Sequence, residues 1–229
     1  EKDGREWLVG GLDVNPTEPE ATASLAVFSV PSSRCVEELS LRVRLEEPYV
    51  AGYLGFREGP AYAELLRRAR SKLDLLLVDG NGRLHPRGAG SACHVGVGAG
   101  LATIGVAKEL HACDGLSKEL VKKTLYPKLP ARGAWQPLRG PLSGQVRGAV
   151  VRTTRSDPFK PVFVSVGHDL CLDTAVFLAL ACAPHYRLPE PIRRADHLGR
   201  RPRPHNAPPG GGIGPVPPRH DHQGGDGSD

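Results

Sequence analysis

The sequence predicts an α/β protein in which helices pack on the faces of one mixed β-sheet. Two observations lead to this prediction. The first part of the chain contains apolar segments of strand length that follow one another through short turns. Beyond them, apolar segments of strand length alternate with segments of helical spacing. Strands that first follow one another directly and then alternate with helices are typical of mixed sheets.

The first strands are expected at residues 8–14, 23–30 and 36–45. A Pro-Ser-Ser turn separates the second from the third, because these residue types favour turns. In the third strand, arginine and glutamate alternate with Val43 and Leu45. Successive side chains of a strand point to opposite faces, so one face of this strand is expected to be solvated.

The middle of the chain is expected to alternate between helices and strands. A helix should begin at Pro60 and continue to about residue 72, since proline suits the first helical turn. The apolar residues 75–78 have the length of a buried strand. A glycine-rich loop should lead into a packed helix within residues 90–101, and residues 102–107 should form the next strand.

The last part of the domain is expected to contain an irregular segment, two strands and a helix. These lie at residues 109–143, 144–152, 161–166 and 172–182 respectively. Asp173 would lie in the first turn of that helix, where a negative charge is favourable.

The residues after 198 differ in composition from those before. Residues 199–229 are rich in proline, glycine, arginine and histidine and contain few large apolar side chains. Such a segment buries too little surface to offset chain entropy, so we expect a disordered tail. Residues 1–198 would then form one folded domain. Few residues precede the first strand, and we expect that N-terminal sequence is missing.

Composition gives only a weak indication of the partner. The 229 residues carry a net charge of +5, which slightly favours a polyanion. The five cysteines include no Cys-x-x-Cys pair, which indicates reduced thiols in an intracellular protein. No segment has the roughly 20 apolar residues of a membrane span, and no signal peptide is visible. We therefore expect no membrane association.

Three separated carboxylates are the strongest candidates for chemistry. Asp13 and Asp79 each end a short apolar run, and Glu58 follows Phe56 and Arg57. Acids collected at a sheet edge can hold Mg²⁺ against a phosphate. Any one of them taken alone is more simply explained as a cap or turn residue. The prediction of a metal site therefore depends on the set.

Two basic residues could complete such a site. Lys108 follows the predicted strand 102–107, and it would share an edge with Asp79 if the two strands are parallel neighbours. There it could offset charge on a phosphate. His168 follows a glycine and could contact metal or phosphate, although a lone histidine is more often structural. A zinc site at Cys93 and His94 lacks a second pair of ligands.

Two loops have the features of a nucleobase site. Tyr49 lies between proline and glycine, which suits an aromatic wedge between bases, although a tyrosine packed on a loop is the simpler interpretation. The Gly-rich segment around Gly90 and Ser91 could hold an anion or a flat base through its N–H groups. It is not a P-loop, because the Gly-Lys-Ser/Thr ending is absent.

Several motifs occur in the order found in the endonuclease V family, which the chain resembles from about Val9 to His197. They are residues 10–14, 48–52, 56–58, 78–82, 85–87, 105–108, 165–168 and 186–191. The resemblance implies an RNase H-like core and a nuclease directed at inosine. Neither the short N-terminal segment nor the tail belongs to the family pattern, and neither difference removes a candidate site residue.

The resemblance also implies roles for the candidate residues. Asp13 and Asp79 would bind the catalytic Mg²⁺, with Glu58 as the third acid, and Mn²⁺ would substitute. Lys108 would lie beside the scissile phosphate, and His168 would support the metal and phosphate.

The same resemblance implies how the substrate is held. Tyr49 would fill the gap left by the flipped-out base. Hypoxanthine would lie against backbone near Leu54, Gly80, Gly90 and Ser91. Cleavage would fall at the second phosphodiester bond on the 3′ side of inosine and leave a 3′-hydroxyl and a 5′-phosphate.

The substrate class has more than one interpretation. Residues 79–82, 92–94 and 114–116 resemble animal members, which favours inosine-containing single-stranded RNA over deoxyinosine DNA. A nuclease acting on hybrids or junctions would need no base pocket. A catalytically silent inosine-RNA binder would gain nothing from mutually repelling carboxylates. We expect a monomer located in the cytoplasm, with a nuclear or nucleolar presence as the second location.

Overall fold

The computed structural model describes residues 5–17, 20–45, 47–48 and 50–201. Its strands are β1 (Trp7–Thr17), β2 (Glu20–Val30), β3 (Arg34–Arg44), β4 (Leu75–Asp79), β5 (Thr103–Ala107), β6 (Trp135–Arg139), β7 (Val146–Val151) and β8 (Val162–His168). Its α-helices are α1 (Leu54–Arg68), α2 (Ser91–Ala99), α3 (Lys118–Thr124), α4 (Leu172–Ala181) and α5 (Glu190–Gly199). Tyr49 and the predicted tail from residue 202 onward lie outside the described residues.

The described strands form a single mixed sheet in the order β3-β2-β1-β4-β5-β8-β7-β6. Strands β1 to β3 pair antiparallel as a meander. Strands β4 and β5 run parallel to β1 in the centre. Strands β8, β7 and β6 then continue the sheet antiparallel. The predicted mixed α/β sheet is confirmed.

The central strand β4 is buried on both faces, which explains its uninterrupted apolar sequence. Leu75 and Leu77 pack in the cluster that includes side chains of α4 and α5. Leu76 and Val78 pack in the cluster that includes side chains of α1 and α2. The helices therefore cover opposite faces, and the functional residues collect at the edge where β4 ends.

Helix α1 begins six residues before the predicted start, and Pro60 lies inside it. The expectation was wrong because proline was taken to mark the first helical turn. Ala61, Tyr62 and Leu65 are buried and lie on one side of the helix. Their packing on the sheet outweighs the backbone hydrogen bond that Pro60 cannot donate.

The segment 109–143 is not irregular throughout, because it contains α3 and β6. Strand β6 was missed because Pro137 interrupts its pattern and few of its residues are buried. Strand β6 is an edge strand of the sheet, so the backbone groups on one of its sides are unpaired. A proline is therefore tolerated in it. Helix α5 was also not predicted, although Pro191 in its first turn is a suitable start.

The predicted helix near residues 172–182 is confirmed as α4, with Asp173 in its first turn. Within the described part of the chain, no helix is both long and apolar enough to cross a membrane.

Candidate active site

Strand register brings Asp13, Asp79 and Lys108 together. Leu12 lies opposite Val78 in the β1–β4 pair, so the residues that follow are Asp13 and Asp79. Asp79 lies opposite Val106 in the parallel β4–β5 pair, and Lys108 comes just after β5 ends. Lys108 Nζ lies 2.6 Å from Asp79 Oδ2, as expected for basic and acidic residues at one edge.

Asp13 lies inside β1 and not at its tip, because β1 continues to Thr17 in its pairing with β2. Asp13 is only 7% exposed. Burial and, to a smaller extent, the neighbouring charges of Asp79 and Asp196 together raise the pKa of Asp13 to about 8. Asn15 Nδ2 donates a hydrogen bond to Asp13 Oδ2, which fixes the orientation of this carboxyl group.

Glu58 reaches the cluster from α1. Tyr62, one helical turn further along, is buried, and its hydroxyl donates a 3.2 Å hydrogen bond to Glu58 Oε2. Burial raises the pKa of Glu58 to about 7, although the hydrogen bond from Tyr62 acts in the opposite direction. The charge of Asp79 also raises this pKa, which places the two carboxylates in electrostatic contact.

Asp196 on α5 is a member of the cluster that the sequence analysis missed. Its charge raises the pKa of both Asp13 and Lys108. Asn15 Nδ2 also donates to the Asp196 carbonyl oxygen at 3.3 Å and so links β1 to α5. Asp196 ends no apolar run, and its only sequence signal is its position near the end of the region of family resemblance.

Gly11 explains how α5 comes so close to β1. A Cβ atom on Gly11 would lie 2.1 Å from the backbone carbon of Pro191 in the first turn of α5. The helix therefore rests directly on the strand backbone. This contact positions the helix that carries Asp196 against the strand that carries Asp13.

The structure does not bring His168 into this cluster, contrary to expectation. His168 lies opposite Thr103 at the start of β5, whereas Lys108 follows the end of that strand. The two ends of β5 are four residues apart, which is roughly 13 Å at about 3.3 Å per residue. Strand β8 is antiparallel to β5, so its last residue lies at the far edge of the sheet.

Lys108 keeps its positive charge in this setting. Burial acts to lower the pKa of Lys108, but Asp79, Asp196 and Asp13 outweigh it and raise that pKa. Three acids thus act on one ammonium group, and Asp196 also forms a salt bridge with Arg200. Once Asp13 loses its proton, the partly buried site has an excess of negative charge. A cation with oxygen ligands matches that excess.

A pocket of about 230 Å³ lies next to these carboxylates. Leu54, Gly80, Gly90 and Ser91, the four described residues predicted to hold a base, all line it. The pocket lies between the start of α1, the loop after β4 and the start of α2. A purine base is smaller than the drug-sized ligands that occupy larger pockets, so the size suits one base.

Backbone forms the part of the pocket wall at Gly80 and Gly90, because side chains would not fit there. A Cβ atom on Gly90 would lie 2.3 Å from the Asn81 carbonyl oxygen. A Cβ atom on Gly80 would lie 2.6 Å from Ser91 Oγ. Asn81 Oδ1 is buried and has no hydrogen-bond partner in the described structure. The pocket thus combines rigid backbone with a nearby free acceptor.

Comparison with known proteins identifies the family. A family model described as Endonuclease V matches residues 1–197. The chain belongs to the Endonuclease V family. Human Endonuclease V is 43% identical over 200 residues, which cover 84% of this chain and 70% of the human protein.

Solved structures of Endonuclease V proteins have the same fold. The catalytic domain of human Endonuclease V has a TM-score of 0.81 and 42% identity, over 86% of this chain and 82% of that one. Ciona intestinalis Endonuclease V has a TM-score of 0.78 and 31% identity, over 87% of both chains. That protein was solved with a 24-mer DNA containing an inosine followed by a ribo-adenosine. The predicted RNase H-like fold is confirmed, and family membership supports endonuclease activity.

Proposed function

We propose that this chain is a Mg²⁺-dependent endonuclease that cleaves single-stranded RNA at inosine. The cut falls at the second phosphodiester bond on the 3′ side and leaves a 3′-hydroxyl and a 5′-phosphate. The observation that carries the proposal is the convergence of four acids and Lys108 beside a pocket that is partly lined by backbone. Family membership and the inosine-containing ligand of the Ciona relative support it.

The acid cluster fits a magnesium ion by its chemistry. Asp13, Glu58, Asp79 and Asp196 offer the oxygen ligands that Mg²⁺ prefers. Within the described residues, no three histidine, cysteine or acidic side chains form a ready-made metal cage. Mg²⁺ commonly binds one or two carboxylates together with waters and a substrate phosphate, so a complete cage is not required. Mn²⁺, which also prefers oxygen ligands, would substitute.

The carboxylates and Lys108 have different roles at the phosphate. A bound Mg²⁺ would supply an activated water and stabilise negative charge on the phosphate. Asp13 and Asp79 hold oxygen atoms at adjacent positions of neighbouring strands. Lys108 holds a positive charge at the same edge, where it would stabilise the charge that develops on the phosphate oxygens.

The pocket would recognise hypoxanthine by hydrogen bonds at its edge. Hypoxanthine has an acceptor at O6 and a donor at N1, whereas adenine has a donor and an acceptor at those places. The Gly90 N–H donates to the Gly82 carbonyl oxygen, so the Ser91 N–H at the start of α2 suits O6. The free Asn81 Oδ1 is an acceptor close by. Adenine would leave buried groups unpaired, at about 1–3 kcal/mol each.

Tyr62→Phe should weaken magnesium binding roughly tenfold, because Tyr62 orients Glu58 and such supporting contacts tune metal affinity. Removing one hydroxyl should change the free energy of unfolding by only about 1 kcal/mol. Calorimetric titration with Mg²⁺ measures the affinity, and Tyr126→Phe is a control at a tyrosine packed on Phe159. Equal affinities in both variants would contradict an orienting role for Tyr62.

Magnesium affinity should rise with pH through the range set by the two buried acids. Asp13, with a pKa of about 8, and Glu58, with a pKa of about 7, are protonated below these values and must lose protons to bind the ion. Affinity should therefore increase by up to about tenfold per pH unit while one proton is displaced. Calorimetry between about pH 6 and pH 9 tests this, and a flat profile would contradict it. Asp13→Asn should lose the upper part of the rise.

Deoxyinosine DNA is the second candidate substrate, since the Ciona relative was solved with inosine-containing DNA. Matched single-stranded RNA and DNA, each with one inosine or one adenosine, distinguish the candidates when incubated with Mg²⁺ or EDTA. We expect Mg²⁺-dependent cleavage of inosine RNA at the second 3′ bond. Faster cleavage of the DNA would replace the RNA proposal, and equal cleavage of adenosine strands would overturn inosine recognition.

A further inference from the structure

Two aromatic side chains are exposed at the rim of the base pocket. Tyr53, immediately before α1, is 46% exposed, and Phe56, in its first turn, is 58% exposed. Large aromatic residues usually bury their rings. Exposed aromatic side chains next to a binding pocket therefore indicate a site that a ligand covers.

The two rings belong to a row of contacting flat groups, here called the ladder, which runs from Arg87 to His94. The Arg87 guanidinium carbon lies 3.6 Å from the Tyr53 ring centroid, a stacking distance. The Tyr53 and Phe56 centroids are 6.0 Å apart with their planes tilted by 37°, and Phe56 meets His94 edge to face, with centroids 4.7 Å apart. Flat guanidinium and aromatic groups stack on one another and on nucleobases.

Two glycines lie next to this ladder, and the approach of Gly55 to His94 is close. A Cβ atom on Gly52 would lie 3.4 Å from the Arg87 guanidinium. A Cβ atom on Gly55 would lie 2.5 Å from the His94 ring. Gly52, Gly55 and His94 also line the base pocket, so the ladder adjoins the pocket through His94.

Arg87 adds an available positive charge to the ladder. Arg87 is exposed, and no carboxylate among the described residues forms a salt bridge with its guanidinium. A cation without an acidic partner, on a loop beside a nucleobase pocket, can also attract a phosphate. Aromatic rings beside a positive charge are the usual elements of single-strand binding surfaces.

We propose that Arg87, Tyr53 and Phe56 form a stacking platform for an unpaired nucleobase adjacent to the base in the pocket. This inference rests on the proposed function, because it requires a single-stranded substrate. A base stacked on the outer face of the Arg87 guanidinium, which Tyr53 supports from the other side, would extend the ladder and hold the strand at the pocket entrance. Stacking accepts any base, so the platform adds affinity without adding sequence preference.

Binding of fluorescent single-stranded RNA in EDTA tests the platform without cleavage. Tyr53→Ala should raise the Kd for an inosine strand roughly tenfold, and Tyr53→Phe should keep wild-type affinity because the ring remains. Phe177→Ala is the control, since Phe177 is 69% exposed on α4 on the opposite face of the sheet. Thermal unfolding shows whether each variant keeps its fold.

An abasic nucleotide identifies the base that stacks. Two strands are compared, one that lacks the base on the 5′ side of inosine and one that lacks the base on the 3′ side. We expect the wild type to bind only one of the two more weakly than the intact strand. On that strand, Tyr53→Ala should cause no further loss, because the two changes remove the same contact. Additive losses, unchanged affinity of Tyr53→Ala, or an equal loss in Phe177→Ala would overturn the platform.

Failure of the platform can be distinguished from failure of the proposed function. If the wild type prefers inosine over adenosine but Tyr53→Ala binds equally well, the platform is wrong and the function stands. If the wild type binds both strands equally, inosine recognition fails. A Tyr53 effect in that case would show a stacking surface that acts on single strands in general.

Discussion

Asp79→Asn should reduce cleavage of an inosine strand about 10³-fold, while the fold and binding of the strand in EDTA persist. Asparagine has the shape of aspartate but no charge. Asp79 is placed between Asp13 on β1 and Lys108 after β5, so its charge acts on both. Its loss removes a ligand for Mg²⁺ and also releases the ammonium group that it orients.

Single-turnover kinetics at saturating enzyme measure this loss separately from binding. Asp173→Asn is a matched control, because Asp173 is exposed in the first turn of α4, away from the carboxylate cluster. It should keep wild-type cleavage. Turnover of Asp79→Asn within a few-fold of the wild type would show that the acids of this sheet edge do not carry the reaction.

Gly11→Ala should destabilise the protein by roughly 2–4 kcal/mol, more than an ordinary surface change. The added methyl would meet backbone atoms of Pro191 and Ile192, which cannot move as a flexible side chain would. Helix α5 must then separate from β1. Since α5 carries Asp196, cleavage should also fall under conditions in which the variant is folded.

Urea unfolding gives the change in the free energy of unfolding for this variant. Gly98→Ala in α2 is a matched control, because a methyl group there would meet nothing within 4 Å. An exposed helical glycine replaced by alanine should be neutral or stabilising by up to about 1 kcal/mol. Equal stability of Gly11→Ala and the wild type would show that α5 does not rest on this glycine.

The sequence by itself determined the features that depend on local pattern. Apolar runs of strand length predicted β4 and β5. Asp79 and Lys108 were predicted as site residues because they end or follow these runs. Motif order predicted the family and with it the RNase H-like core. Glycines in the loop after β4 and before α2 predicted a wall of backbone, which the pocket contains.

Only the tertiary structure decided which of these residues meet. The antiparallel register of β8 against β5 moved His168 to the far edge of the sheet. The close packing of α5 on Gly11 brought Asp196, more than 180 residues away in the chain, to the cluster of Asp13. Register and helix docking depend on contacts between distant segments, so no local pattern encodes them. For the same reason, the contact between Arg87 and Tyr53 could not be predicted, because these residues lie on separate segments that only the fold brings together.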